Sequence, residues 1–375
     1  MPSPPSFALR FVTWTLVRAG IVLGALALGG AVVAPSLSGE LSGDGEARHY
    51  GAEVNPTGSP IGGGPGYARH VAARRPVTSA SGLARALDRA RAGDVVYVAD
   101  GAALDLTALG TVRIPAGVTL ASGRGRRGSP GALLFTTDPN VRPMLLAAGD
   151  DVRVTGLRIR GPETRRLTAE IGAVHEREGQ AGMRRLAAAR GVMSRHDGLE
   201  VDNCELWGWS HAAVFVYGRG RGSTGAHVHH NEIHHNQRRG LGYGVSLKKA
   251  EALVEANRFD WNRHSIAGSG DPGTSYEARY NLVGPNANSH AFDMHGGRDR
   301  ADGTHVAGTD LHVHHNTFEL TDRAALRVRG RPERTARVEH NWFYAEASRN
   351  PVQQRFATGN LRIGPNAYGR RKRVQ

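Results

Sequence analysis

Short stretches that alternate apolar and polar residues recur along the second half of the chain, and each contains an asparagine. The six that align best are AHVHHNEI, ALVEANRF, YEARYNLV, LHVHHNTF, ARVEHNWF and LRIGPNAY. Their asparagines are Asn231, Asn257, Asn281, Asn316, Asn341 and Asn366, spaced by 26, 24, 35, 25 and 25 residues. A period of two predicts β-strands, and repetition at this larger spacing predicts a solenoid of stacked coils.

The recurring asparagine is interpreted as the turn residue between two strands of a coil. Asparagine tolerates a left-handed backbone and hydrogen-bonds neighbouring main chain, so stacked turns predict a ladder of side-chain amides. A second strand follows in AVFVYG, GVSLKK, SIAGSG, AFDMHG and ALRVRG. Its predicted inward columns are Val214, Val245, Ile266, Phe292 and Leu326, and then Val216, Leu247, Gly268, Met294 and Val328.

An amphipathic helix is predicted ahead of the coils, within SASGLARALDRARAGDVVYVADG. Leu83, Ala86, Leu87 and Ala90 share one face of it, and Ser79 or Ser81 caps it. This helix and the asparagine coils, over residues 94–368, resemble the right-handed parallel β-helix proteins of the pectate-lyase-like superfamily. The resemblance implies an all-β, right-handed parallel β-helix solenoid whose N-terminal end is closed by the helix.

The rest of the chain divides by composition. Residues 162–191 separate two coils by 47 residues where about 25 are expected, and their Ala, Leu, Arg and Glu content predicts a helical insertion. Arg10 and Arg18 precede a charge-free apolar run, which predicts export. The predicted order is a signal peptide or N-terminal membrane anchor (1–38), a flexible linker (39–77), the β-helix domain (78–368) and a basic tail (369–375). We therefore expect a secreted or extracytoplasmic protein, with membrane contact only through such an anchor.

Composition narrows the classes of partner. Cys204 is the single cysteine, so an intrachain disulfide and a cysteine-based zinc site are excluded. The formal net charge of +14 favours a polyanionic partner. The basic stretches lack the interleaved aromatic residues of a nucleic-acid platform, so nucleic acid is not expected. An acidic polysaccharide, bound by a monomer, is the expected partner.

Chemically active side chains gather at the outward positions of the second strand. One outward column is Phe215, Ser246, Ala267, Asp293 and Arg327, the next is Tyr217, Lys248, Ser269, His295 and Arg329, and just ahead of the strand stand Tyr243, His264 and His290. Neighbours in a column lie about 4.8 Å apart, so Asp293 is expected beside Arg327, and His264 beside His290. The alternative is an ordinary solvated face with an ion pair.

The resemblance implies a polysaccharide lyase that cleaves an acidic, uronate-containing polysaccharide by β-elimination. That reaction needs a cation for the uronate carboxylate, a base and an acid. His264, His290 or Lys248 is the candidate base, Tyr243 the acid and Arg327 the cation, with Asp293 as a further catalytic candidate. The candidate substrate-binding residues are His295, Arg329, Tyr217 and Arg298. Asp299, Asp302 and Thr304 offer oxygen ligands, so Ca²⁺ is a candidate cofactor, with a surface turn as the alternative.

Other functions stay open. The Trp-x-Asp-His and Arg-x-Pro-x-x-Arg signatures of pectate lyases are absent, so the resemblance stops at the superfamily. A glycoside hydrolase needs converging carboxylates, for which the chain offers Asp293, with Asp260 and Asp271 at nearby turns. A uronate epimerase would use the same groups as a lyase, and a non-catalytic carbohydrate-binding solenoid would leave them dispersed. The histidines of HVHHN are expected to face outward, with a metal site in one copy as the alternative.

Overall fold

The computed structural model describes residues 49–72, 75–163, 165–218, 220 and 222–375. The predicted signal peptide or anchor, 1–38, lies outside these residues. Of the helices within them, none combines the length and the apolar character needed to cross a bilayer. Export therefore stays a prediction from the sequence.

Short strands account for most of the described chain, with few helices. The helices are α1 (Ala80–Arg89), α2 (Arg165–Arg185) and α3 (Gly297–Arg300), and the 3₁₀ turns are Ala52–Val54, Thr107–Leu109, Arg126–Gly128 and Ala347–Arg349. The strands are β1 (Val95–Tyr97), β2 (Ala103–Asp105), β3 (Val112–Ile114), β4 (Thr119–Ala121), β5 (Leu133–Phe135), β6 (Leu145–Ala147), β7 (Arg153–Thr155), β8 (Arg158–Arg160), β9 (Arg190–Ser194), β10 (Glu200–Asp202), β11 (Glu205–Trp207), β12 (Ala212–Tyr217), β13 (Ser223–His229), β14 (Glu232–Asn236), β15 (Tyr243–Lys248), β16 (Ala250–Glu255), β17 (Arg258–Asn262), β18 (His264–Gly268), β19 (Ser275–Arg279), β20 (Leu282–Val283), β21 (Phe292–Met294), β22 (Asp310–His314), β23 (Thr317–Phe318), β24 (Leu326–Val328), β25 (Thr335–Glu339), β26 (Trp342–Phe343), β27 (Val352–Gln354), β28 (Leu361–Ile363), β29 (Ala367–Tyr368) and β30 (Arg373–Val374).

Within the described residues, the strands form sheets of ten, eleven and nine strands, and almost every coil gives one strand to each sheet. The ten-stranded sheet runs β1-β4-β7-β10-β13-β16-β19-β22-β25-β28, the eleven-stranded sheet β2-β5-β8-β11-β14-β17-β20-β23-β26-β29-β30, and the nine-stranded sheet β27-β24-β21-β18-β15-β12-β9-β6-β3. The pairs between successive coils are parallel. The predicted all-β parallel β-helix is therefore confirmed.

The inward columns predicted for the second strand are confirmed by the register of the nine-stranded sheet. Val214 pairs with Val245, Val245 with Ile266, Ile266 with Phe292 and Phe292 with Leu326, and all five side chains are fully buried. Each such side chain contributes about 1.5–3 kcal/mol through removal from water. The core of the solenoid thus follows directly from the period-two pattern.

The predicted asparagine ladder is present and continuous. The side-chain amide of each rung from Asn231 to Asn341 donates to the side-chain oxygen of the next, at 2.9–3.0 Å. The left-handed residue, however, is the one before five of the six asparagines, as at His230 (φ 52°) and His315 (φ 52°), while Pro365 precedes Asn366. A second, shorter ladder that the sequence analysis missed joins Asn236 to Asn262 at 2.8 Å.

Both predicted helical features are confirmed. Ser79 caps α1 by accepting a hydrogen bond from the amide of Gly82, and Leu83 and Leu87 are buried against the first coils. The insertion forms α2, which is interrupted at Gly179. The guanidinium of Arg238, from a later coil, donates to carbonyl oxygens near the C-terminal end of α2, including that of Met183 at 3.0 Å. Such a cation stabilises the orphan carbonyls at a helix end, so the insertion is tied to the nine-stranded sheet.

The prediction of a flexible linker is wrong for residues 49–72. Tyr50 and Tyr67 are each 3% exposed, and the Tyr67 hydroxyl donates to the Asp202 carboxylate at 2.6 Å. The amide of Gly64 donates to the Asn203 side chain at 2.8 Å. Glycine and proline make this segment irregular, but its aromatic anchors hold it along the coils.

The basic tail is also ordered. β30 pairs antiparallel with β29, and the Asn366 amide donates to the backbone oxygen of Gln375 at 3.0 Å. β30 thereby pairs with the outer edge of β29, the last coil's strand in the eleven-stranded sheet.

Buried neutral histidines predict a loss of stability in weak acid. Burial lowers the pKa of His230 from 6.5 to about 4, so as the pH falls below 6.5 the unfolded chain takes up a proton that the folded chain refuses. The contribution of neutral His230 to the free energy of unfolding is fully present above about pH 6.5. It falls by up to about 2 kcal/mol as the pH is lowered to 5. We expect the thermal midpoint to fall from pH 7 to about pH 5. His230→Asn, which keeps a residue that tolerates the left-handed turn, should reduce that slope, and an unchanged slope would exclude His230 as a contributor.

Candidate active site

A buried carboxylate, Asp293 in β21, is the centre of the predicted cluster. Its side chain is fully enclosed. Arg329 donates to it from Nε at 3.1 Å and from a terminal nitrogen at 2.7 Å, and Nε2 of His295 lies 2.8 Å from Oδ2. Burial alone raises the pKa of Asp293, but the neighbouring histidines, His295 first, hold it well below its usual range. The carboxylate is therefore ionised.

The histidines proposed as bases lie beneath the surface. His264 is fully buried and His290 is 6% exposed. Their rings lie 4.1 Å apart, and Nδ1 of His264 is 2.6 Å from the backbone oxygen of His290. Burial lowers the pKa of both imidazoles. A polymer cannot contact His264 in the structure described, because the side chain is fully enclosed.

The outward column is covered because a second apolar cluster lies on the outer face of the nine-stranded sheet. Its buried members are Met193, Ala212, Phe215, Tyr243 and Ala267. Tyr243 is 7% exposed and stacks on His264 at 5.7 Å. "Outward" on this sheet therefore does not mean exposed to solvent.

Above this cluster lies a groove of about 230 Å³ that three of the predicted residues share. Those three are Tyr243, Lys248 and His295. The lining also includes His211, Phe215, Leu241, Ser246, Leu247, Ala267, Gly268, Ser269, Asp271 and Arg300. Lys248 and His295 follow register positions two strands apart, which is about 9.6 Å between backbones. An aromatic floor with cations, a histidine and a phenol at its edges suits a charged sugar.

The chain after β21 folds back tightly and fixes His295. The Gly296 amide donates to the Asp299 carboxylate at 3.0 Å, and Arg329 donates to the same carboxylate at 2.8 Å. A Cβ on Gly296 would lie 1.7 Å from the backbone oxygen of Arg329, so only glycine fits there. From the same turn Arg300 donates to the backbone oxygen of Ser269 at 3.3 Å, at the edge of the groove.

The carboxylates of the loop considered for Ca²⁺ already accept hydrogen bonds from other groups of the protein. Both oxygens of Asp299 accept hydrogen bonds, from Gly296 and Arg329. Asp302 accepts from the Thr304 amide at 2.9 Å and from Arg300 at 2.7 Å. Because arginines already occupy these carboxylates, the residues do not fit a calcium cage, and the geometry is that of a surface turn.

The remaining predicted residues lie outside the groove lining. Arg327 lies beside Asp293 in the sheet register, as expected, but its guanidinium donates to Gln353 at 3.0 Å. Arg329 makes the ion pair with Asp293 instead. Arg298 lies over the Phe356 ring at 4.5 Å. Tyr217 stacks on Phe215 at 6.1 Å, with Lys248 above its ring at 5.9 Å. Tyr217 thereby packs against the outer apolar cluster beside the groove.

Two groove residues gave no sequence signal for a substrate site. The sequence marks Asp271 only as a carboxylate at a turn, and no motif marks Arg300. Asp260 does not join the site, because it pairs with His234 in the eleven-stranded sheet and accepts hydrogen bonds from Asn286 at 2.9–3.0 Å. The sequence signal that pointed toward this edge was the outward column of Tyr217, Lys248, Ser269, His295 and Arg329.

Comparison with known proteins gives likenesses of overall structure. No family model matches the chain, and no curated protein matches it. A solved structure of alginate lyase from Paenibacillus sp. str. FPU-7 is similar over 76% of this chain and 97% of that one, with 16% identity and a TM-score of 0.43. A Family 28 exopolygalacturonase of Yersinia enterocolitica is similar over 80% of this chain and 78% of that one, with 9% identity and a TM-score of 0.39.

Proposed function

We propose that the groove is the active site of a carbohydrate-active enzyme, a polysaccharide lyase that cleaves a uronate-containing polymer by β-elimination. The observation that supports it best is the His295–Asp293 pair, in which a buried, ionised carboxylate orients a groove-lining imidazole. The net charge of +14 suits an anionic polymer. An exported monomer acting on acidic polysaccharide completes the proposal.

His295 takes the role of base in this proposal. Nε2 of His295 faces the Asp293 carboxylate at 2.8 Å, and the proposed tautomer carries its proton on that nitrogen and its lone pair on Nδ1. Within the described residues, no hydrogen bond occupies that Nδ1. It is therefore available to remove the proton next to a uronate carboxylate. Arg300, at the groove edge, offsets the charge that develops on that carboxylate, and Lys248 binds the anionic polymer.

Tyr243 takes the role of acid. Burial raises the pKa of its phenol, so the group stays protonated and can donate to the departing glycosidic oxygen. Its hydroxyl lies 3.5 Å from Arg263 and 3.4 Å from the backbone oxygen of Gly240. These weak contacts leave the hydroxyl free to turn toward a substrate.

The carboxylates near the groove favour elimination over hydrolysis. A glycoside hydrolase needs one carboxyl group that stays protonated and a second that is ionised. Asp293 is ionised and engaged by His295 and Arg329, so it cannot serve as the acid. Asp271 accepts a hydrogen bond from Ser269 at 2.7 Å and is the carboxylate left at the groove for a hydrolytic role.

The test is incubation of the purified protein with alginate, pectate, glucuronan and glycosaminoglycans. A rise in ultraviolet absorbance from unsaturated uronates on one of them supports elimination. New reducing ends without that absorbance would assign hydrolysis through Asp271 instead. Neither signal across the panel would leave a carbohydrate-binding solenoid.

The lysine at the groove edge is expected to act through charge. Lys248→Gln should raise KM for the active polymer by about tenfold to a hundredfold, as loss of a charge-assisted contact implies, with a smaller change in kcat. The effect should shrink at high salt, since Lys248 is exposed. Lys249→Asn is the matched control, because Lys249 is exposed with a left-handed backbone that asparagine accepts. Equal KM values for the two variants would remove Lys248 from the site.

A further inference from the structure

Beneath the groove, the fully buried His264 has one ring nitrogen without a hydrogen-bond partner among the described residues. Its Nδ1–H donates to the backbone oxygen of His290 at 2.6 Å, so the lone pair is on Nε2. That Nε2 is buried and has no hydrogen-bond partner among the described residues. It lies 3.8 Å from Oδ2 of Asp293. Two hydrogen-bond acceptors thus face each other in a dry interior, which costs about 1–3 kcal/mol unless something positive lies between them.

His290 presents a second nitrogen to the same point. Its Nε2 lies 2.9 Å from Oδ1 of Asp293, yet the contact is too bent for a hydrogen bond and the atom is otherwise unpartnered in the described part of the chain. One ligand atom from each of His264, His290 and Asp293 lies within 4.8 Å of the other two, and all three side chains are buried. We call these three residues the buried triad.

The separations within the buried triad are close to those between ligands of one metal ion. Zinc binds imidazole nitrogen and carboxylate oxygen at about 2.0–2.2 Å in tetrahedral geometry, which places two ligands about 3.4 Å apart. His290 Nε2 lies 2.9 Å from Oδ1 of Asp293 and His264 Nε2 lies 3.8 Å from Oδ2, on either side of that value.

The surroundings of the buried triad are those of a metal site's outer shell. The His264 Nδ1–H bonded to a carbonyl is the usual way to orient a ligating imidazole. His295 and Arg329 hold the Asp293 carboxylate from its other sides. Asp299 lies 2.8 Å from Arg329 and offsets its charge, which lessens repulsion of a bound cation.

We propose that the buried triad binds a divalent transition-metal ion, with Zn²⁺ the best match to two imidazoles and one carboxylate. The ion supplies the positive charge that the facing acceptors lack and locks Asp293 in the position that orients His295. The inference concerns binding alone and does not rest on the proposed lyase reaction.

Two other histidine clusters lack the unpartnered nitrogens. They are Glu200, His227 and His229, and Glu277, His312 and His314, all on the ten-stranded sheet. In these clusters each imidazole faces a carboxylate. Nε2 of His229 lies 3.0 Å from a Glu200 oxygen, and Nε2 of His312 lies 2.9 Å from a Glu339 oxygen. Because the ring nitrogens that face these carboxylates are hydrogen-bonded, the two clusters are ion-pair networks, and they provide internal controls.

The experiment uses the full chain, stripped with a chelator, dialysed and titrated with Zn²⁺ and with Co²⁺. We expect one tightly held ion per chain by elemental analysis, and visible Co²⁺ absorption typical of nitrogen and oxygen ligands. His264→Gln and His290→Gln should each weaken binding at least a hundredfold, while His229→Gln and His314→Gln leave it unchanged.

The proposal is overturned if the wild-type chain binds neither ion more tightly than about millimolar, or if His314→Gln loses binding and His290→Gln keeps it. Circular dichroism identifies a variant that fails to fold, and the wild-type titration decides the question even then. The metal titration uses no substrate and is independent of the polysaccharide assay. Tight metal binding without lyase activity would reject only the proposed reaction, and lyase activity without metal binding would reject only the proposed metal site.

Discussion

Replacement of His295 by alanine is expected to lower the elimination rate by about 10²–10⁴-fold, the usual contribution of a positioned general base. The side chain is 26% exposed at the groove and packs little of the core, so the coils should stay folded. Initial rates from ultraviolet absorbance should show the loss in kcat with little change in KM, because the imidazole acts on the transition state rather than on the bound polymer.

Two further variants separate the roles around that base. Tyr243→Phe removes only the phenol oxygen and keeps the ring that stacks on His264 at 5.7 Å, so a large loss in kcat would come from the acid. His305→Ala, an exposed histidine of the following loop, is the control and should retain wild-type rates. If His295→Ala retains activity within a few-fold of wild type, His295 is not the base and the groove assignment fails.

The fold was predictable because its signal is repeated. The alternation around Asn231 recurs at Asn316 and Asn341, and the register it sets placed Val245, Ile266 and Phe292 in one inward column, as the sheet confirms. The ladder from Asn236 to Asn262 was not predictable in the same way, because two rungs give no period.

The sequence predicted which residues group together in the candidate site, but not that three of them are buried. Register alone brought His264, His290 and Asp293 together, since strands of successive coils are parallel neighbours. Their burial could not be predicted, because it depends on the outer apolar cluster, in which Tyr243 at the start of β15 stacks on His264 and Leu241 packs from the turn before it. Arg329 replaces Arg327 as the partner of Asp293 for a related reason. A long side chain two residues along can reach across diagonally, and the backbone register does not record that reach.

Asp293 links the two levels of the site. Its upper contact, His295, opens into the groove, and its lower contacts, His264 and His290, are sealed from it. A change in the charge beneath Asp293 would alter how strongly it holds the His295 tautomer. The catalysis proposed in the groove and the ion binding proposed beneath it would therefore be coupled through one carboxylate, even though each is tested separately.

Replacement of Asn281 by alanine should destabilise the solenoid by about 3–6 kcal/mol. Its side-chain oxygen accepts from the amide and the side chain of Asn257, both at 3.0 Å. Its own amide donates to the Val254 carbonyl at 2.8 Å and to Asn316 at 2.9 Å. All of these groups are buried, and each one left unpaired costs about 1–3 kcal/mol, with partial relaxation reducing the sum. The midpoint of urea unfolding, followed by circular dichroism, measures the loss.

The matched control is Asn140→Ala, at an exposed turn, which should change stability by no more than about 0.5 kcal/mol. Asn281→Asp separates the accepted hydrogen bonds from the donated ones. It keeps the oxygen that accepts from Asn257, removes the two donated hydrogen bonds and buries a charge. It should be at least as damaging as alanine. If alanine at Asn281 costs no more than alanine at Asn140, the ladder amides contribute nothing net, and the stacking of the coils depends on the apolar columns and backbone pairing alone.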